Sequence, residues 1–147
     1  MSQGERTTRI LYWIATALFV FFTVAHTMGG VVAASSNGPT ADGVLALMRS
    51  VHFVTLGADS SYYGFYYGFG LMVSVGLAFF AFSASMLARA KGAQRATLRP
   101  LGWALLVAQV ANLALSWRYF FLPPVITSAL LVILIGVACA RDASEGP

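Results

Sequence analysis

Charge is scarce in this chain, and acid is the scarcest charge of all. Five Asp and Glu residues stand against nine Lys and Arg, and charged residues make up 10% of the 147. No acid falls inside the long apolar runs described below, so the buried carboxylate relay of an ion-driven transporter is not expected. Cysteine is nearly absent too. Cys139 alone leaves no internal disulfide, no thiolate metal site and no Cys-x-x-Cys redox pair. The chain also lacks His-Glu-x-x-His, a Gly-rich nucleotide loop after a strand, a Ser/His/Asp order, paired catalytic carboxylates and any nucleic-acid module. A metal site and a nucleic-acid partner are therefore not expected.

What is abundant is hydrocarbon: 59% of residues are hydrophobic, 14% are aromatic, and the mean hydropathy is +0.77. So little polar surface cannot clothe a water-soluble fold of this size. Four apolar stretches, at about 10–28, 62–88, 101–117 and 122–140, are long enough to cross a bilayer. Lipid cannot satisfy backbone amides, so each crossing must be helical, and about 20 residues suffice for the hydrocarbon core. The expectation is an all-α, four-transmembrane-helix bundle forming a single integral membrane domain over 1–147.

The basic residues report sidedness. Arg6, Arg9, Arg89, Lys91, Arg95, Arg99 and Arg141 fall on one side of the four spans, with only Arg49 and Arg118 opposite. By the short-loop charge bias both termini are cytoplasmic, and the 29–61 and 118–122 connections are outside. The net charge of +4 is explained by this topology, since the cations flank spans instead of forming a nucleic-acid patch. The basic start, the apolar run and Val32-Ala33-Ala34-Ser35 also fit a cleaved secretory signal. Tyr12 and Trp13 favour a retained span, because they suit an interfacial aromatic anchor.

Between the first two spans lies a connection of unusual length, the kind that carries function. Its first part, 33–43, reads as irregular. Asp42 is placed to N-cap an amphipathic helix over about 43–56, with Val44, Leu47, Met48, Val51 and Val54 on one face and Arg49 and His52 one turn apart on another. On the cytoplasmic side, 89–100 reads as a basic loop in contact with anionic lipid, with Pro100 in the first turn of the third helix. Pro123-Pro124 opens the fourth helix after a very short turn, which makes the last two helices antiparallel neighbours.

Polar residues outside the basic flanks gather toward the outer end. His26 lies near the outer end of the first span; Tyr62, Tyr63, Tyr66 and Tyr67 begin the second; Gln109, Asn112 and Ser116 share a face of the third; Arg118 follows it. With Arg49, His52 and Asp59 they form one expected outer layer, in which Arg49 and Arg118 face Asp42 and Asp59. His26, Arg49, His52, Asp59, Tyr63, Tyr66, Tyr67, Gln109, Asn112, Ser116 and Arg118 are the ligand-binding candidates. Interhelical hydrogen bonding is the plainer reading of Gln109, Asn112 and Ser116, and an aromatic belt of the tyrosines. Gly64 and Gly68 form Gly-x-x-x-Gly, and Gly70 with Ser74 repeats the small-residue spacing, so these four are the expected helix-packing positions.

Through His26-Thr27, Arg49 to Phe53, Tyr63 to Leu71, Gly102-Trp103-Ala104 and Ser116 to Phe120, the chain resembles a group of small, uncharacterised bacterial membrane proteins. That resemblance spans nearly the whole chain and implies a bacterial four-helix membrane protein, with no activity attached. The first functional expectation is a non-catalytic protein that binds a hydrophobic ligand or a membrane-protein partner, including another copy of itself, at its outer mouth. An alternative is a small enzyme acting on a lipid or isoprenoid, with His26 or His52 as acid/base and Arg49 or Arg118 holding a head group. No cofactor is expected, although two histidines on separate outer elements leave haem-linked electron transfer as a further alternative.

Overall fold

The computed structural model describes residues 3–32 and 38–144, so Ala33, Ala34 and Ser35 of the expected cleavage site and residues 33–37 of the expected irregular stretch lie outside the described residues, while 39–43 of that stretch are helical. It is an all-α, four-helix bundle with a short amphipathic helix in its first long connection. The helices are α1 (Gln3–Ala25), α2 (Pro39–Ser50), α3 (Tyr62–Arg89), α4 (Gly92–Tyr119) and α5 (Leu122–Ser144). A π-helical segment, His26–Val32, continues α1, and a hairpin of β1 (His52–Thr55) and β2 (Ala58–Ser61) follows α2. Among the described residues, four helices are long and apolar enough to cross a membrane: α1 with its π-helical extension, α3, α4 and α5. The protein is a multi-pass membrane protein. Ile14, Phe21, Phe79, Val107, Ile133 and their like lie exposed along those helices, as lipid-facing side chains do.

Residues group into two compact units, 1–22 with 77–147 and 23–76, to both of which α1 and α3 contribute. In the first unit, Thr8, Tyr12, Ala15 and Phe19 form the buried stripe of α1, spaced by four, three and four residues. Tyr12, Ala15 and Phe19 cluster with Leu77, Ala81, Ala84, Leu87 and Ala88 of α3, Leu105 of α4, and Leu131, Ile135, Ala138 and Cys139 of α5. Small residues recur at these contacts because lipid gives no hydrophobic reward for helix association, so close van der Waals approach must drive it. Gly102 is the tightest case. A Cβ there would stand 2.9 Å from the Tyr12 hydroxyl and 3.2 Å from Cys139 Sγ. Tyr12 is thus 1% exposed in the core, not an interfacial anchor, because it falls on the helix face that the bundle covers. Trp13, one residue on, is exposed with the Arg89 guanidinium over its ring at 5.6 Å.

The expected basic loop shrinks to Ala90 and Lys91, and Pro100 sits inside α4, not at its start. Residues 93–99 are mostly good helix formers, and a proline costs the ladder one amide, so the helix runs on through it. At 28 residues α4 is about 42 Å long by a 1.5 Å rise, enough to cross the headgroup layers as well as the core. Phe120 and Phe121 make the short turn into α5, and α4 and α5 pack as antiparallel neighbours.

In the second unit, the helix expected over 43–56 starts at Pro39 and stops at Ser50. Gly38, at φ +96°, lets the chain turn into it, Pro39 suits the first helical position, and Asp42 lies inside the first turn instead of capping it. The rest of the expected helix is hairpin: His52 pairs with Ser61, Phe53 with Ser60, Val54 with Asp59 and Thr55 with Ala58. β-Branched and aromatic residues at 51–55 favour strand, and Leu56-Gly57 turn the corner with φ of +52° and +82°, as a two-residue hairpin loop requires. Arg49 and His52 consequently sit on different elements.

Candidate functional site

Three polar arrangements of the second unit carry most of the expected ligand-binding residues. On the hairpin, His52 Nδ1 lies 3.1 Å from Asp59 Oδ1 and 3.2 Å from Oδ2, a diagonal cross-strand pair with both side chains exposed. Asp59 therefore answers His52, not Arg49. The Arg49 guanidinium instead stands 4.3 Å from the centre of the Tyr63 ring, a cation–π contact, and Tyr63 stacks on Tyr67 with centroids 6.1 Å apart. Phe53 packs against Tyr62 and Phe65, joining the hairpin to the first turn of α3. Tyr66 is exposed.

The third arrangement begins where α1 widens into the π-helical segment. His26 opens that segment, and its Nε2 lies 3.1 Å from the Gly70 carbonyl of α3. A carbonyl only accepts, so Nε2 carries the proton. Thr27 Oγ1 is 2.8 Å from Ser74 Oγ, and Ser74 donates to the same Gly70 carbonyl at 3.3 Å. Gly70 is where the two segments close up. A Cβ there would meet Val31 Cγ2 at 2.9 Å, whereas one on Gly68 would meet nothing within 4 Å and one on Gly64 only Ser61 Oγ, at 3.3 Å. The Gly-x-x-x-Gly pair expected to pack is therefore open, and the close approach lies at the second small-residue pair. Both histidines are engaged, with Gly70 and with Asp59. Among the described residues no three His, Cys, Asp or Glu side chains gather as a metal site.

Gln109, Asn112, Ser116 and Arg118 belong to the other unit. Gln109 is 1% exposed and its Nε2 has no acceptor, Ser116 is buried, Asn112 is half-buried, and Arg118 lies 5.3 Å from the ring centre of its neighbour Tyr119. Ser128 of α5 is equally buried with its hydroxyl unpartnered.

The most deeply buried charges sit at the basic end of the first unit, among residues outside the expected set. Asp142, 4% exposed, accepts from Arg95 Nε at 2.6 Å and from the Tyr12 hydroxyl at 3.4 Å. Tyr12 Oη is also 3.5 Å from Cys139 Sγ. Three helices, α1, α4 and α5, are tied by this network. Its signal in the sequence was spacing: 131, 135, 138 and 142 continue one face of α5, so Asp142, two residues beyond the expected end of the fourth span, rides on the buried stripe.

These features define a polytopic α-helical membrane protein with a folded cap of one helix and one hairpin between its first two crossings. No family model matches the chain, and neither a curated protein nor a solved structure does.

Proposed function

We propose a non-catalytic integral membrane protein of the bacterial inner membrane whose extracytoplasmic cap binds a membrane-protein partner. Its termini are cytoplasmic, a reading supported by the seven cations at the end opposite the cap connection. Leu56 carries the reading. It is fully exposed at the hairpin tip, and its φ of +52° is a left-handed conformation that costs a leucine about 1–2 kcal/mol. Asn or Gly would turn this corner without that cost, so neither the hairpin's folding nor its solubility accounts for leucine here. Val54 beside it is 72% exposed, and α2 buries no residue while presenting Val44 and Leu47. Exposed apolar groups on a structured element are what a partner covers. A photo-crosslinking amino acid in place of Leu56, activated in native membranes, should give a discrete protein adduct. Adducts to lipid alone would make the tip an interfacial anchor and end the partner reading.

The His52–Asp59 pair favours a second reading, an enzyme acting on a lipid or isoprenoid head group. A carboxylate on Nδ1 orients an imidazole and leaves Nε2 for proton transfer. In that case His52→Gln abolishes turnover of a lipid substrate, while Leu56→Asn leaves it intact.

A further inference from the structure

At the basic end of the first unit, a cavity of about 250 Å³ is lined by Glu5 and Arg9 of α1, by Ala90 and Lys91 between α3 and α4, and by Arg95 of α4. Three of the four charged side chains around it are cationic. It is smaller than the roughly 300–1,000 Å³ of sites that enclose whole drug-sized molecules, and suits one compact anionic group. Arg95 is held in place by Asp142, which takes its Nε, while its Nη2 is shut off from solvent and meets no acceptor. With Nη2 closed off, it is the remaining 14% exposed part of the Arg95 side chain, which lines the cavity, that an oxyanion can meet, and a guanidinium fixed by its own counter-ion offers N–H donors suited to a tetrahedral oxyanion. Lys91 is exposed, and no side chain caps the amides of α4 that begin at Gly92, so the positive end of a 28-residue helix opens beside the same lysine.

We propose that this cavity binds a phosphate group, with Arg95 as the preset fork and Lys91 as the mobile counter-charge. Phosphate fits better than carboxylate because its oxygens point in several directions and can meet cations from α1 and α4 together. A phospholipid headgroup and a free phosphate share this chemistry. The site is independent of the cap and of the partner reading above.

The test uses the full chain, purified and stripped of lipid in an uncharged detergent. Short-chain phosphatidylglycerol, the matching diacylglycerol without phosphate, and inorganic phosphate at constant ionic strength are each followed by native mass spectrometry and by thermal unfolding. Phosphatidylglycerol should bind at least about tenfold tighter than diacylglycerol, the difference expected from one charge-assisted contact. Lys91→Gln, at an exposed position, should remove most of that preference, and Arg141→Gln, an exposed cation at the same end but outside the cavity, should not. Stabilisation by inorganic phosphate as well identifies a free phosphate as an occupant, and a response to the lipid alone identifies a headgroup site. No preference for either phosphate probe, or an equal loss in Lys91→Gln and Arg141→Gln, overturns the proposal, the latter because it would mean diffuse attraction to a basic surface.

Discussion

At the scale of single residues, the core of this protein turns on a few places where backbone or hydroxyl must come close. Gly102 leaves room for the Tyr12 hydroxyl and Cys139. Gly102→Ala should lower stability by about 1–3 kcal/mol, the usual cost of overpacking, read as a fall in the unfolding midpoint in detergent. Asp142 is more demanding, since it is the acid that holds Arg95. Asp142→Ala leaves that guanidinium without a counter-charge and should cost about 3–5 kcal/mol, whereas the double change Asp142→Leu with Arg95→Met should recover much of the loss. A double-mutant cycle on these residues measures it. Gly70 and Gly68 give a matched pair: Gly70→Leu must displace Val31 and should destabilise clearly, and Gly68→Leu should be nearly neutral. None of these contrasts is visible from residue type. Gly64, Gly68 and Gly70 look alike on paper, and only the position of Val31 separates them.

At the scale of elements, the cap between the first two crossings departs furthest from what periodicity suggested. Apolar residues at 44, 47, 48, 51 and 54 match one face of a helix, yet the helix ends at Ser50 and Val54 belongs to a strand. Short apolar runs fit a 3.6-residue period and a two-residue alternation equally well, and the decision came from Leu56-Gly57, whose left-handed turn makes a hairpin and stops a helix. Leu56→Asn relieves strain at that turn. It should raise the stability of the protein by about 1 kcal/mol while removing the adduct formed by a photo-crosslinker placed at the neighbouring exposed Val54, a combination that circular dichroism melts and crosslinking together can detect. The spans were easier. The start of α3 at Tyr62 and of α5 at Leu122 agree with the sequence, while α4 runs nine residues farther toward its N-terminus than apolar length alone required, from 101 back to Gly92.

At the scale of the whole molecule, four long apolar helices make it a multi-pass membrane protein, and charge asymmetry sets the expected orientation. With Cys139 replaced by Ala, single cysteines at Ser36 and Ala93 report it: an impermeant maleimide on intact cells should label position 36 and spare position 93. Composition, the lengths of the apolar runs and the distribution of cations determined the number of crossings, their helical state and their expected sidedness. These properties depend on how each segment partitions between water and lipid, which is additive along the chain and needs no knowledge of neighbours. Burial of Tyr12 and Asp142, the pairing of His52 with Asp59, the turn of His26 onto Gly70 and the cavity beside Arg95 were decided by tertiary structure alone. Each joins residues distant in sequence or selects between faces of an element, and helical or strand spacing fixes which residues share a face without fixing what that face will meet.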